Sequence, residues 1–141
     1  VVQAVINRVK QIKDSNEDIM ITSCFKEITS ELADDPNHVK VILDELSNAI
    51  YFSRAKIPYH RDHHKDASYF GHLGIYGFTK KSLNDFCKLN PSKLENIEKL
   101  EQLRAIDNGK KIAMVKVTSK SFGIDTQEDL NRAIKLFSNE R

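Results

Sequence analysis

The sequence predicts an α/β protein whose mixed β-sheet is flanked by helices. Two observations carry this expectation. Val1, Val2, Val5, Ile6, Val9 and Ile12 recur at helical spacing, and the apolar run Ile19-Met20-Ile21-Thr22-Ser23-Cys24 follows, so a helix feeds a strand. Further on, Val39-Lys40-Val41-Ile42-Leu43-Asp44 and Ala49-Ile50-Tyr51-Phe52 are joined by only Glu45-Leu46-Ser47-Asn48, the pattern of a β-hairpin. Helix–strand units combined with an antiparallel pair make the sheet mixed. A length of 141 residues suits one domain, residues 1–141, with a sizeable core.

In chain order, the first helix is expected to end near Asp14-Ser15-Asn16 and the first strand to occupy residues 19–24. Residues 26–37 are polar and predict a short helix running into a loop at Asp35-Pro36-Asn37, with Asp34 and Asp35 as turn and cap residues rather than metal ligands. The hairpin follows. Residues 69–78, YFGHLGIYGF, are rich in aromatic and β-branched side chains and read as a long strand. Gly71, Gly74 and Gly77 within it predict bulging or close backbone approach, which would suit a ligand lying against the strand. Thr79 can cap a helix holding Leu83, Phe86, Cys87 and Leu89, stopped at Asn90-Pro91. One helix is then expected over residues 92–108, with Gly109 as its stop. Its apolar residues Leu94, Ile97, Leu100, Leu103 and Ile106 step uniformly by three, so the stripe walks around the helix and calls for other helices or a second subunit to cover it. Residues 111–117 form the last strand. Thr126-Gln127-Glu128-Asp129 resembles a capping box before a helix with Leu130, Ala133, Ile134 and Phe137 on one face.

A net charge of +2, without a long Lys/Arg block, argues against a nucleic-acid binder. The apolar runs are too short to span a membrane, and the amphipathic first residues do not read as a signal peptide. Cys24 and Cys87 lack metal-type spacing and predict two packed thiols in a reduced, cytoplasmic setting.

The chemistry gathers in residues 48–78. Between two strand-like runs lies a polar, basic loop with Arg54, Lys56, His60, Arg61, His63, His64 and Lys65, which cannot be core and suits an anion. Arg54 follows a strand end, and its planar guanidinium can grip a carboxylate or phosphate. His60, His63 and His64 invite a metal reading, but adjacent histidines diverge and no further ligand accompanies them. They are expected in a solvated loop. His72 lies among the apolar neighbours Phe70, Leu73 and Ile75, where a histidine is more often a core residue than a ligand.

These residues also carry a family resemblance. Tyr51-Phe52-Ser53-Arg54, Ile57-Pro58 and His72-Leu73-Gly74-Ile75-Tyr76 resemble the central signature of the CMP-Kdo synthetases, the 3-deoxy-manno-octulosonate cytidylyltransferases. Asn37-His38-Val39-Lys40 upstream, with Leu100-Glu101-Gln102-Leu103-Arg104 and Gly123-Ile124-Asp125-Thr126 downstream, resemble three further blocks of that family in the same order. The resemblance implies a nucleotide-diphospho-sugar transferase fold (Rossmann-like, in three layers) and cytidylyl transfer from CTP to 3-deoxy-D-manno-octulosonate. It also implies magnesium as cofactor and a homodimer. It places Arg54, His72, Glu101 and Gln102 on the sugar acid and Asp125 on the metal, with no catalytic base assigned. No glycine-rich phosphate loop is present, so the chain is expected to be the C-terminal portion of such an enzyme and inactive alone. Two alternatives remain: another sugar-acid nucleotidyltransferase, or a non-catalytic fragment that binds sugar and dimerises.

Overall fold

The computed structural model describes residues 1–63, 67–118 and 127–138. In chain order the elements are α1 (Val2–Ser15), β1 (Ile21–Ile28), α2 (Ser30–Ala33), β2 (Lys40–Leu43), β3 (Ala49–Ser53) and β4 (Tyr69–Gly77). Then follow α3 (Lys80–Cys87), α4 (Lys93–Glu98), α5 (Leu103–Asp107), β5 (Ile112–Lys116) and α6 (Gln127–Ser138). The strands form one five-stranded sheet in the order β3-β2-β4-β1-β5. β1 and β5 are parallel, whereas β1–β4, β2–β4 and β2–β3 are antiparallel. The expected mixed sheet with helices and the expected hairpin are both present.

Each boundary has a local cause. α1 stops where Asn16 takes a left-handed conformation and its N–H returns to the Ile12 carbonyl. Thr79 and Ser82 form a reciprocal capping box at the start of α3, and Ser92 and Glu95 form another at α4. The core lies where Met20, just before β1, and Ile21 and Phe25 within it meet Val41, Phe52, Leu103, Ile112 and Met114.

Three expectations are corrected. Residues 26–28 are not helical but extend β1, because Lys26, Glu27 and Ile28 pair with Gly71, Phe70 and Tyr69 and Ile28 buries its side chain. Long-range pairing overrides the weak helical preference of a polar segment. The single helix over residues 92–108 is two short helices, since Lys99 adopts φ 56°, ψ 47° and the chain turns. The turn resolves the wandering stripe: Leu100 and Leu103 enter the core, while Ile97 stays 66% exposed. Within the chain the stripe is covered at Leu94, Leu100, Leu103 and Ile106 but not at Ile97. Cys24 is buried as expected, but Cys87 is exposed on α3, so only one thiol is packed.

Two of the three glycines of β4 meet protein. A Cβ on Gly71 would lie 2.8 Å from Ile28, and one on Gly77 would lie 2.6 Å from Val5 and 2.7 Å from Val9. These two let the sheet and α1 approach the strand. Of the three, Gly74 alone faces open space.

Candidate functional site

His72 sits near the middle of β4, fixed there by a backbone bond from its N–H to the Val39 carbonyl at 2.8 Å. Tyr76, four residues further along β4, comes to the same side as His72. The imidazole packs edge-on against Phe52, with centroids 4.9 Å apart, and leans on Tyr76 at 5.6 Å. Its Nε2 lies 2.8 Å from Ser23 Oγ on the neighbouring strand. Its Nδ1 faces the Gln102 amide nitrogen at 3.5 Å, and Tyr76 donates its hydroxyl to Gln102 Oε1 at 3.2 Å. Burial pushes the His72 pKa down to about 4, so the ring is neutral near pH 7. Burial, with help from the Glu101 carboxylate, pushes Tyr76 up to about 12, keeping its hydroxyl protonated although the residue is 42% exposed.

Of the four residues assigned to the sugar acid, His72 and Gln102 are thus in contact. Glu101 is exposed beside them and acts on Tyr76 through its charge. Neutral donors and acceptors bordered by one carboxylate suit a polyhydroxylated ligand. Arg54 is placed differently. Its Nε donates to the Glu98 carbonyl at 2.8 Å, Nη1 to the Pro36 carbonyl at 3.1 Å and Nη2 to the Lys99 carbonyl at 3.4 Å. A guanidinium has five N–H groups, so two remain for a ligand. Asp125, the assigned metal residue, and His64 lie outside the described residues. Among the described residues no group of three or more His, Cys, Asp and Glu side chains could hold a metal ion.

Glu95 and Glu98, just before the turn at Lys99, are structural. Glu98 accepts the Ser53 hydroxyl at 2.6 Å and the Arg54 N–H at 2.9 Å, tying the turn before Glu101-Gln102 to the end of β3. Glu95 is buried against Arg104. His60 also departs from the solvated-loop expectation: it is half-buried, edge-on to Tyr69 at 4.9 Å, with Nε2 buried and without a hydrogen-bond partner. His63 is exposed, as expected.

Sequence reasoning missed Ser23, Tyr76 and Lys40. Tyr76 was findable, since it stands four residues after His72 on a strand and so on the same face. Lys40 is fully buried, and its ammonium donates to the Asp35 carbonyl at 3.0 Å. That burial lowers its pKa, while the Asp35 carboxylate acts the other way. Ser23 had no signal, because its role depends on an irregularity in strand pairing.

Residues 2–112 match the family described as cytidylyltransferase, and the chain belongs to that family. Three curated relatives are named 3-deoxy-manno-octulosonate cytidylyltransferase. That of Wolinella succinogenes is 54% identical over 119 residues, covering 83% of this chain and 49% of the relative. That of Nitratiruptor sp. is 52% identical, covering 91% and 54%, and that of Helicobacter pylori is 53% identical, covering 84% and 50%. A solved structure of CMP:2-keto-3-deoxy-manno-octonic acid synthetase complexed with CTP superposes with a TM-score of 0.83 at 31% identity, covering 96% of this chain and 56% of that one. The chain thus spans about half the length of the relatives it matches. No helix among the described residues is long and apolar enough to cross a membrane.

Proposed function

We propose that the protein carrying this chain transfers CMP from CTP to 3-deoxy-D-manno-octulosonate, and that these residues supply the sugar-acid side of the site. The observation that carries the reading is the contact of His72, Gln102 and Tyr76 beside Glu101, within a chain similar to enzymes of that name. In this reading the anomeric hydroxyl oxygen bonds to the α-phosphorus, the bond to pyrophosphate breaks, and the hydroxyl proton is lost. His72 and Gln102 hold sugar hydroxyls, as does Glu101, and the two free N–H groups of Arg54 meet the carboxylate. The protein's contribution is alignment of the two reactants. Asp125 would give one carboxylate to magnesium, whose charge offsets that of the triphosphate.

A homodimer, a cytoplasmic location and a place in lipopolysaccharide biosynthesis belong to the same reading and rest on the resemblance. The test is pyrophosphate release by the full-length protein from CTP and 3-deoxy-D-manno-octulosonate with magnesium. Release is expected, with Gln102→Ala raising the KM for the sugar acid. Equal turnover of an unrelated 2-keto sugar acid would favour the wider nucleotidyltransferase alternative, and absence of turnover would overturn the reading.

A further inference from the structure

We propose that Ser23 is a positioning residue that holds His72 in its Nε2–H tautomer, making Nδ1 the acceptor for a hydroxyl of the bound sugar acid. The second half of this statement rests on the function proposed above.

The argument begins with an irregular stretch of sheet. Between the pairs Thr22↔Gly77 and Cys24↔Leu73 the chain advances two residues along β1 but four along β4. The additional β4 residues bulge opposite Ser23, which is itself fully buried. Its hydroxyl oxygen lies 2.7 Å from the Ile75 carbonyl, 3.2 Å from the Leu73 carbonyl and 2.8 Å from His72 Nε2.

A serine hydroxyl has one proton, and carbonyl oxygens can only accept. If that proton pointed at the imidazole, the serine oxygen would face two carbonyl oxygens with lone pairs opposed on both. The proton therefore goes to Ile75, and the serine oxygen accepts from Nε2–H. In a neutral imidazole the other nitrogen is then unprotonated. The remaining contacts agree in sense: Gln102 presents its NH₂ to Nδ1, and its carbonyl oxygen is left to accept from Tyr76. Every donor in the series Tyr76, Gln102, His72, Ser23, Ile75 thus points the same way. The Gln102–Nδ1 contact, at 3.5 Å, is long enough to yield to a ligand hydroxyl. An ether or keto oxygen at that position would meet lone pair with lone pair and be rejected. That is a source of discrimination the histidine alone does not set.

The test is a long-range ¹H–¹⁵N spectrum of the His72 imidazole in the full-length protein near neutral pH. Wild type and Ser23→Thr, which keeps the hydroxyl, should show Nδ1 unprotonated and Nε2 protonated. Ser23→Ala, and the nearly isosteric Ser23→Cys as a guard against a folding defect, should show a mixture of tautomers. In steady-state assays the same two variants should raise the KM for the sugar acid ~10-fold while leaving that for CTP unchanged, and Ser23→Thr should restore it. A protonated Nδ1 in wild type, or an unchanged single tautomer in Ser23→Ala and Ser23→Cys, overturns the tautomer lock. A tautomer switch in a protein that binds no sugar acid supports the lock and removes the proposed function instead.

Discussion

Arg104 on α5 grips the Glu95 carboxylate on α4 through two parallel hydrogen bonds, Nε to Oε2 at 3.0 Å and Nη2 to Oε1 at 2.6 Å. The pair spans the break at Lys99 and closes the corner that carries Glu101 and Gln102. Glu95 is buried and also accepts the Ser92 N–H, so removing its partner leaves a charged group short of donors. Arg104→Ala should lower stability by ~2–3 kcal/mol in chemical denaturation. The hydrogen bonds from Arg104 hold the Glu95 pKa below its ordinary 4.5, so the contribution is complete above that value and is lost as pH falls through the lowered pKa. A wild-type level of stability in Arg104→Ala would show that the corner holds without the pair.

His72 supplies a second, separable acid sensitivity. Its folded pKa of about 4 lies below the ordinary 6.5, so the unfolded chain binds more protons between those values. Stability should therefore decline as pH falls from about 6.5 to about 4, by up to ~3 kcal/mol. His72→Gln should flatten that slope while leaving the Glu95-linked loss at lower pH. An identical slope in the variant would assign the sensitivity to another group.

Arg54→Lys keeps the charge but cannot reach the three carbonyls of Pro36, Glu98 and Lys99 together. The 98–102 turn should loosen, with faster amide exchange there and a stability loss of ~1–2 kcal/mol. Unchanged exchange would mean that the guanidinium serves the ligand alone.

The three glycines of β4 should separate cleanly by alanine substitution. Gly77→Ala forces a methyl to within 2.6–2.7 Å of the stiff valines Val5 and Val9 and should cost ~1–3 kcal/mol as α1 shifts. Gly71→Ala meets Ile28 at 2.8 Å and should cost a similar amount, whereas Gly74→Ala meets nothing within 4 Å and should be close to neutral. Thermal unfolding of the three variants side by side checks the order.

Asp125→Asn, in the full-length protein, keeps the side chain's size and removes the charge proposed for magnesium. Turnover should fall ~10²-fold or more and recover in part at high magnesium, with sugar-acid binding little changed. Full turnover at low magnesium would remove the metal assignment of Asp125.

Much of the fold was legible because it follows from local rules. α1, the β2–β3 hairpin, β4 and the Thr79 cap are each written in periodicity, turn length or a capping residue within a few positions. The motif residues His72, Glu101 and Gln102 could be picked out from the sequence, since a motif is a local pattern as well. What tertiary structure decided is wherever a distant partner outweighs local preference. The left-handed Lys99 lets one apparent helix become a corner, because burying Leu100 and Leu103 and tying Glu98 to Ser53 and Arg54 outweighs continued helical hydrogen bonding. Residues 26–28 joined β1 because β4 lay alongside to pair with them. Ser23 lies within hydrogen-bond distance of His72 and of the Leu73 and Ile75 carbonyls where the β1–β4 pairing is irregular, and that register is set by strands far apart in the chain.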